Sequence, residues 1–430
     1  MKRLRRYFAL GALTVLLGGA IVTAVALLSL QTAQTIILPR PELAFWGLRA
    51  IDTMKYSRDV ARQQLRNPSF DAGIREHVGN IAATGATHVA LGTAYDEEFV
   101  PFLKRWVAAA RAEKLKVWFR GNWSGWEGWF EYPRIDRATH IAKTRRFILE
   151  HSDLFVDGDI FTACPECENG GPGDPRMNGD VAGHRKFLID EHDAMEEAFS
   201  AIGKEVTVNY NSMNGDVAWL VMNRDTTEAL GGVVAIDHYV PTVDELVDYI
   251  NRISERSGGK VVLGEIGAPV PDIHGRFSPN EQAAWVEELM TKLARVPNLI
   301  GLNYWTSVGG TTELWMPDGT ARQAVQTLTN FYDPHIVFGV VRDELGRPIV
   351  DATVSDGFVS TQTDWRGYFE LLDRERDEFA LAASAEGYTT KTLLAAPSNE
   401  QVIIVLSREE EDLWFRFLKL LSDTFLSGKG

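Results

Sequence analysis

Eight times between residues 44 and 332 the chain repeats one pattern: a short β-branched or aromatic run, a polar or aromatic tip, then a longer amphipathic stretch with apolar residues at helical spacing. The runs are AFWGLRAI, THVALG, KVWFR, DIFTA, EVTVNY, VVAIDHY, KVVLGEIG and LIGLNYW, and they recur every 27–46 residues. Helical spacing fills 71–84, 98–114, 136–150, 184–202, 243–257 and 280–296. Eight βα units in about 290 residues are what a closed (β/α)8 TIM barrel requires. The competing arrangement, a doubly wound open sheet, ordinarily places a Gly-rich phosphate turn after an early strand, and that turn is missing.

Beyond Tyr332 the texture changes to alternating residues separated by turn signals, Glu344-Leu345-Gly346-Arg347-Pro348 and Asp364-Trp365-Arg366-Gly367 among them. That pattern predicts a small antiparallel β-sandwich over 333–407. The string from Gly339 to Gly357, followed by the TDWRGYFEL segment with Tyr368 and Phe369, resembles the carboxypeptidase regulatory-like (transthyretin-like) module, which implies an accessory or spacer role. The last stretch, 408–430, carries Leu413, Trp414, Phe417, Leu418, Leu421 and Phe425 at helical spacing. Such an apolar stripe is more often packed on its own protein or a partner than laid on a membrane.

Residues 1–38 read as a different object. Lys2, Arg3, Arg5 and Arg6 precede an uncharged, mostly apolar stretch from Tyr7 to Leu30, long enough to span a bilayer as one helix. The basic flank stays in the cytoplasm by the positive-inside bias, so the expectation is a single-pass signal anchor with the barrel, 39–332, outside the cytoplasm. A cleaved signal peptide is the alternative, but its apolar core is usually shorter. Cys164 and Cys167 are the only cysteines. An exported chain lets them bridge, whereas a zinc site needs two further ligands and a redox motif a following helix. A formal charge of -15, with clustered basic residues confined to the first six positions, excludes nucleic acid as a partner.

In a parallel barrel, chemistry resides at the C-terminal strand tips. The tips here offer Asp52; Thr93 and Tyr95; Arg120 with Asn122; Glu166 with Glu168; Asn209 with Asn211; His238 with Tyr239; Glu265; and Trp305. Glycosidic bond cleavage needs one carboxyl to protonate the leaving oxygen and another to attack or to activate water, and strands four and seven each supply a Glu. No metal or organic cofactor is needed for that chemistry. A metal-dependent hydrolase barrel would want His and Asp pairs at several tips, beginning after strand one, where none occurs. The loop GNWSGWEGWFEY, with Trp123, Trp126 and Trp129, is broken by glycines and polar residues, and is read as an aromatic platform for sugar faces. Asp52 and Arg49 are either substrate contacts or a tip salt bridge.

With these residues in order, the barrel resembles the clan A glycoside hydrolases, the cellulase- and mannanase-like barrels. The resemblance rests on VVLGEIG as a nucleophile strand, LNYWTSVGG as a strand-eight tip with a sugar-platform Trp305, and AIDHY as strand six. It implies a retaining mechanism with Glu166 as acid/base and Glu265 as nucleophile, and an endo-β-glycanase such as a glucanase or mannanase. Tyr239 would hydrogen-bond the nucleophile, and His238 and Asn209 would support the pair. Asp52, Asn211, Glu168, Trp123, Trp126 and Trp305 would contact the carbohydrate. Two departures are specific to this chain. Pro165 stands where the family has Asn before its acid/base, which leaves Glu168 as an alternative register and Asn169 or Asn209 as a replacement amide. The family's strand-two Arg is absent, and Arg120 from strand three is expected to hold Glu265 ionised. A surface protein that binds glycan without turnover is the competing reading.

Overall fold

The computed structural model describes residues 45–373, 378–396 and 401–409. The expected N-terminal anchor and the amphipathic stretch beyond Glu409 lie outside the described residues, among which no helix is long and apolar enough to cross a membrane.

Seven of the eight apolar runs supply strands of one parallel sheet, ordered β4-β3-β2-β1-β8-β7-β6-β5, while the fifth, EVTVNY, joins it only through a bridge from Thr207 to Ile160 and the short fifth strand follows at Met213–Asn214. Its strands are β1 (Leu48–Asp52), β2 (His88–Leu91), β3 (Lys116–Phe119), β4 (Ile160–Phe161), β5 (Met213–Asn214), β6 (Val233–Asp237), β7 (Lys260–Ile266) and β8 (Leu299–Tyr304). The sheet closes on itself between β4 and the segment leading into β5. Phe161 N–H donates to Thr207 O at 2.8 Å, Thr207 N–H to Asp159 O at 2.9 Å, and Gly158 N–H to Glu205 O at 2.8 Å. These residues form strands because each run is β-branched or aromatic on both faces, which suits a sheet covered inside and out. Leu48, Ala50, Ala90, Trp118, Ile160, Ala235 and Val262 pack inside the barrel, whereas Ile51, Val89, Leu91, Val117, Phe119, Ile236 and Leu263 face the helical layer.

Helices Phe70–Ala82, Val100–Ala112, Arg137–Glu150, Val181–Ala201, Val243–Ser257, Pro279–Leu293 and Gln323–Tyr332 surround the sheet. Between β5 and β6 two short helices, Gly215–Val221 and Arg224–Ala229, take the place of one. Helix Pro279–Leu293 starts at a reciprocal cap, Ser278 with Glu281, which satisfies backbone N–H groups at its first turn.

The C-terminal strands form a β-sandwich of two small sheets. Strands β9 (His335–Asp343), β12 (Tyr368–Asp373) and β15 (Val402–Leu406) face β10 (Thr353–Ser355), β11 (Ser360–Gln362), β13 (Phe379–Ser384) and β14 (Lys391–Ala395). Val337, Val341, Val354, Phe369, Leu371, Leu381 and Ile404 fill the space between them. One departure from a purely antiparallel sandwich is that β15 pairs with β9 in parallel. Phe358 of this unit meets Phe45 and Phe331 at ring distances of 6.1 and 5.9 Å. Phe45 precedes β1, so this contact lies at the end of the barrel opposite the strand tips.

Tyr95 ties the tips of three strands. Its hydroxyl donates to Thr162 O at 2.7 Å and accepts from Gly121 N–H at 3.0 Å, and the residue is fully buried. Tyr95→Phe should lower stability in urea denaturation by about 1–3 kcal/mol, the cost of buried backbone groups left unpaired.

Candidate active site

The strand tips converge on one guanidinium. Arg120, directly after β3, is buried, with Nη2 2.8 Å from Glu265 Oε1 and 3.4 Å from Asp237 Oδ2, and Nε 3.4 Å from Asp52 Oδ2. Beneath it the guanidinium lies 5.1 Å from the centre of the Trp118 ring. Three carboxyls from β1, β6 and β7 thus share one cation inside the barrel mouth. Asp52 also accepts from Met54 N–H at 2.6 Å and from Asn303 Nδ2 at 3.0 Å, so it is an internal partner of Arg120 rather than a group turned to substrate. Arg49, its alternative partner, instead donates to Trp46 O and Gly85 O near the start of β1.

Glu265 is anchored through both oxygens, Oε1 by Arg120 and Oε2 by the Tyr239 hydroxyl at 3.2 Å. Its side chain is 12% exposed, while Asp52 and Asp237 are closed off. Among the three carboxyls on Arg120 it is the one open to the barrel mouth. Burial and the adjacent Glu265 and Asp237 raise the Tyr239 pKa well above that of a free phenol, so this hydroxyl stays a donor. The glycine before Glu265 makes the cluster possible. A Cβ on Gly264 would lie 2.3 Å from Asp237 Oδ1, 2.6 Å from Ser212 Cβ and 2.9 Å from Arg120 Nη1.

Glu166 stands on the loop after β4 in the left-handed conformation, φ 48° and ψ 52°. That backbone costs a non-glycine residue roughly 1–2 kcal/mol, so surrounding contacts must hold it. They do so from several sides. Cys164 and Cys167 are bridged across Pro165 and Glu166; Glu166 N–H donates to Ser212 O at 2.8 Å; and Asn169 Nδ2 donates to Glu166 Oε2 at 2.9 Å. Glu168 behaves differently. It is 2% exposed, its Oε1 accepts from Asn214 N–H at 2.7 Å and Asn214 Nδ2 at 3.0 Å, and its Oε2 has no hydrogen-bond partner among the described residues. Asn169, not Asn209, is therefore the amide beside Glu166.

Several expectations about the tips need correction. Trp123 and Trp126 are 3% and 1% exposed and form no open platform. Trp123 Nε1 donates to Thr144 Oγ1 at 3.0 Å; Trp126 Nε1 donates to Cys167 O at 3.1 Å, and its ring stacks 5.0 Å from Phe187. The glycines after Asn169 are fitted to that indole: a Cβ on Gly171, whose φ is +55°, would lie 2.4 Å from the Trp126 ring. Trp126 thus supports the loop that carries Glu166. Trp129 is half-buried beneath the Arg58 guanidinium at 4.7 Å. His238 packs against Gly215 and the Tyr249 ring, 4.1 Å away, and makes no side-chain hydrogen bond to Glu265 among the described contacts. Asn209 donates to Gly231 O, before β6, and Asn211 is buried with Nδ2 unpartnered. Side-chain alternation explains all three, because Tyr210, Ser212, Asp237 and Tyr239 take the inward positions. Trp305, after β8, is half-buried with Lys55 Nζ 5.5 Å from its ring, and the Trp305–Thr306 peptide is cis.

Asp237 and Asn303 were not singled out by the sequence reading. Asn303 donates to Asp52 Oδ2 and to Gly264 O, bridging β1 and β7. The signal for Asp237 was alternation from the inward Ala235. Glu127 is a third such residue. It accepts from Asn122 Nδ2, whose Oδ1 faces His140 Nε2 at 2.9 Å, and His140 Nδ1 in turn meets Glu191 Oε1 at 2.5 Å. Burial, opposed by Asn122, pushes the Glu127 carboxyl up to about 7.

One guanidinium cannot compensate every carboxyl around it, and the titration directions say so. Burial raises Asp52 and Asp237 despite Arg120. Burial and Asp237 push Glu265 to about 8 against the pull of Arg120, and burial with Asp237, Glu265 and Glu168 pushes Glu166 further, to about 9. Both glutamates are thus raised, and the charge on one opposes the ionisation of the other. Glu265 has two strong donors and Glu166 one amide, so a shared proton resides preferentially on Glu166. Among the described residues no group of three or more His, Cys, Asp or Glu is arranged to hold a metal ion.

Arg120→Met would leave these carboxyls without their shared cation and should cost about 3–5 kcal/mol at neutral pH. Protonation relieves unpaired carboxyls, and Glu265 already titrates near 8 with Arg120 present, so the deficit should grow as pH rises above 8 and level off below it, which urea titrations at two pH values measure.

No family model matches the sequence, and no curated protein sequence is detectably similar to it. Solved structures are similar in fold. A GH5_18 protein from Streptomyces cattleya, in complex with Manb1-4GlcNAc, aligns at 15% identity and a TM-score of 0.51, covering 69% of this chain and 85% of that one. An FMN-binding β-glucuronidase from Facaelibacterium prausnitzii L2-6 aligns at 11% identity and a TM-score of 0.44, covering 77% of this chain and 54% of that one. Bacteroides uniformis β-glucuronidase 2, covalently bound to cyclophellitol-6-carboxylate aziridine, gives 12%, 0.46, 83% and 46% respectively. The chain spans about half the length of these β-glucuronidases. These neighbours are glycoside hydrolases, and the GH5_18 likeness establishes a TIM-barrel-like fold.

Proposed function

We propose that the chain is a retaining glycoside hydrolase acting on β-linked poly- or oligosaccharide, with Glu265 as nucleophile and Glu166 as acid/base. The observation that carries this reading is the seat of Glu265, a carboxyl at the strand-seven tip held through separate oxygens by Arg120 and Tyr239 and still open to the barrel mouth. Those two donors orient it and favour its anion. Glu166 shares its electrostatic environment, with fewer donors and a higher pKa, which suits a group that must enter the reaction protonated. Glu168 suits that role less well, because one oxygen is committed to Asn214 and the residue is buried.

In the first displacement Glu265 attacks the anomeric carbon while Glu166 gives its proton to the departing oxygen. The Glu166 carboxylate then takes a proton from water, whose oxygen attacks the same carbon and releases Glu265. Two inversions return the starting configuration. Trp305 offers the sugar-stacking face at the strand-eight tip. A glucanase or mannanase of the endo type is the finer reading, and the GH5_18 neighbour's β1-4-linked ligand places such linkages first in a substrate panel.

The Cys164–Cys167 bridge supports an oxidising compartment, and with the apolar N-terminal stretch it favours a membrane-anchored enzyme whose barrel faces away from the cytoplasm. Protease added to intact cells should digest the barrel if this placement is correct, and leave it intact if it is cytoplasmic. The sandwich, in contact with the barrel end remote from the site, then acts as a spacer.

The full chain in detergent should release new reducing ends from at least one β-glucan, β-mannan or β-galactan. Glu265→Gln and Glu166→Gln should each reduce that release by at least ~10³-fold, about 4 kcal/mol of barrier. Glycan binding without release from any polymer would instead favour the non-catalytic surface protein. The pH profile follows from the signs. Activity requires Glu265 ionised and Glu166 protonated, so it rises as the pair loses its first proton and falls as it loses the second. Because both groups are raised, the falling limb should lie above neutrality. Glu166→Ala, assayed with a dinitrophenyl glycoside that needs no acid, should lose that limb.

A further inference from the structure

We infer that the Cys164–Cys167 disulfide is a positioning element for Glu166, fixing the turn that carries its carboxyl; the inference rests on the glycosidase reading above. The bridge closes a four-residue loop containing only Pro165 and Glu166 between its cysteines, with their Cα atoms 5.1 Å apart. Within that loop Glu166 has a positive φ, a backbone state uncommon for a residue with a Cβ.

Both cysteines are also tied to the packed layer behind the loop. Asn122 Nδ2 lies 3.4 Å from Cys164 Sγ, and Trp126 Nε1 donates to Cys167 O. Gly171 N–H donates to Trp126 O at 2.9 Å just downstream. The two cysteines are 2% and 3% exposed, so the bridge lies inside this layer rather than on the surface. The backbone of Glu166 is therefore held by a covalent link at its own turn, the Trp126 indole on one side and Ser212 O on the other. Asn169 steadies the carboxyl through its exposed side chain, and its backbone N–H donates to Glu166 O at 2.8 Å, a non-covalent closure of the same turn. The disulfide supplies the covalent constraint on this turn, and without it the left-handed residue can relax and swing the carboxyl out of the site.

The test compares the full-length protein with Cys164→Ala/Cys167→Ala, both purified in detergent and assayed on the polymer that the wild type cleaves. Opening the bridge should lower kcat at least ten-fold and change KM less than two-fold. It should also move the alkaline limb of the pH profile down towards the ordinary carboxyl range, because Glu166 becomes solvated. A bridge that only stabilises the fold would lower the melting temperature and leave kcat and the alkaline limb in place, which would overturn the inference. Should the double variant fail to fold, wild-type protein treated with tris(2-carboxyethyl)phosphine, its free thiols counted and its circular dichroism unchanged, gives the same comparison. Reoxidation should then restore kcat. Wild-type turnover indifferent to the bridge contradicts this inference alone, whereas absence of turnover in the bridged protein removes the glycosidase reading and this one with it.

Discussion

The site depends on one buried cation shared among carboxyls. Without Arg120, the ends of β1, β6 and β7 would bring Asp52, Asp237 and Glu265 together in a space that desolvates them, and like charges would force protonation or separation. With it, three strands that are distant in sequence are pinned at one height. Other features of the mouth are fitted to this arrangement. Gly264 leaves room for the guanidinium and Asp237, Asn303 joins β1 to β7 through Asp52 and Gly264, and Trp118 floors the cation with its ring. The charge is insufficient for every carboxyl, and that shortage is useful. Burial and the neighbouring carboxyls raise Glu166 the more, while Glu265 retains its two donors.

A second layer explains how Glu166 is held against Glu265. The Trp-containing loop after β3 lies behind the loop after β4 and grips it through Trp126, Gly170 and Gly171. From Asn122 a buried chain runs through His140 to Glu191, joining the β3 tip to helices Arg137–Glu150 and Val181–Ala201. The two loops nearest the acid are in this way supported by the helical layer as well as the barrel.

Much of this was legible from residue order. Seven of the eight runs appear as strands because buried parallel strands must be apolar on both faces, a requirement visible in sequence, whereas EVTVNY keeps only the Thr207 bridge and the strand falls a few residues later. Arg120, Tyr239 and Glu265 meet as expected because each stands at or just beyond a strand end, where position along the strand limits position in space. What misled the reading was direction rather than location. His238 and Asn209 belong to the right strands but to their outward faces, and a one-residue shift in a period of two reverses the side. Asp237 was overlooked for the same reason. Trp123 and Trp126 failed differently. Glycines and polar residues around them suggested an open loop, yet the glycines permit close approach of another loop, and a partner 40 residues away in sequence leaves no local trace. Nor could the left-handed turn at Glu166 be read from CPEC, since spacing alone says neither that the cysteines bridge nor which way the residue between them points.

The most direct measurement is to trap the intermediate. A 2-deoxy-2-fluoro glycoside with a good leaving group slows both displacements but the second more, so a retaining enzyme accumulates its glycosyl adduct. Incubation followed by proteolysis and mass spectrometry should place one fluoroglycosyl group on Glu265, with none formed in Glu265→Gln. An adduct on another carboxyl, or turnover of natural substrate with inverted anomeric configuration, would contradict the assignment of Glu265 on which this account rests.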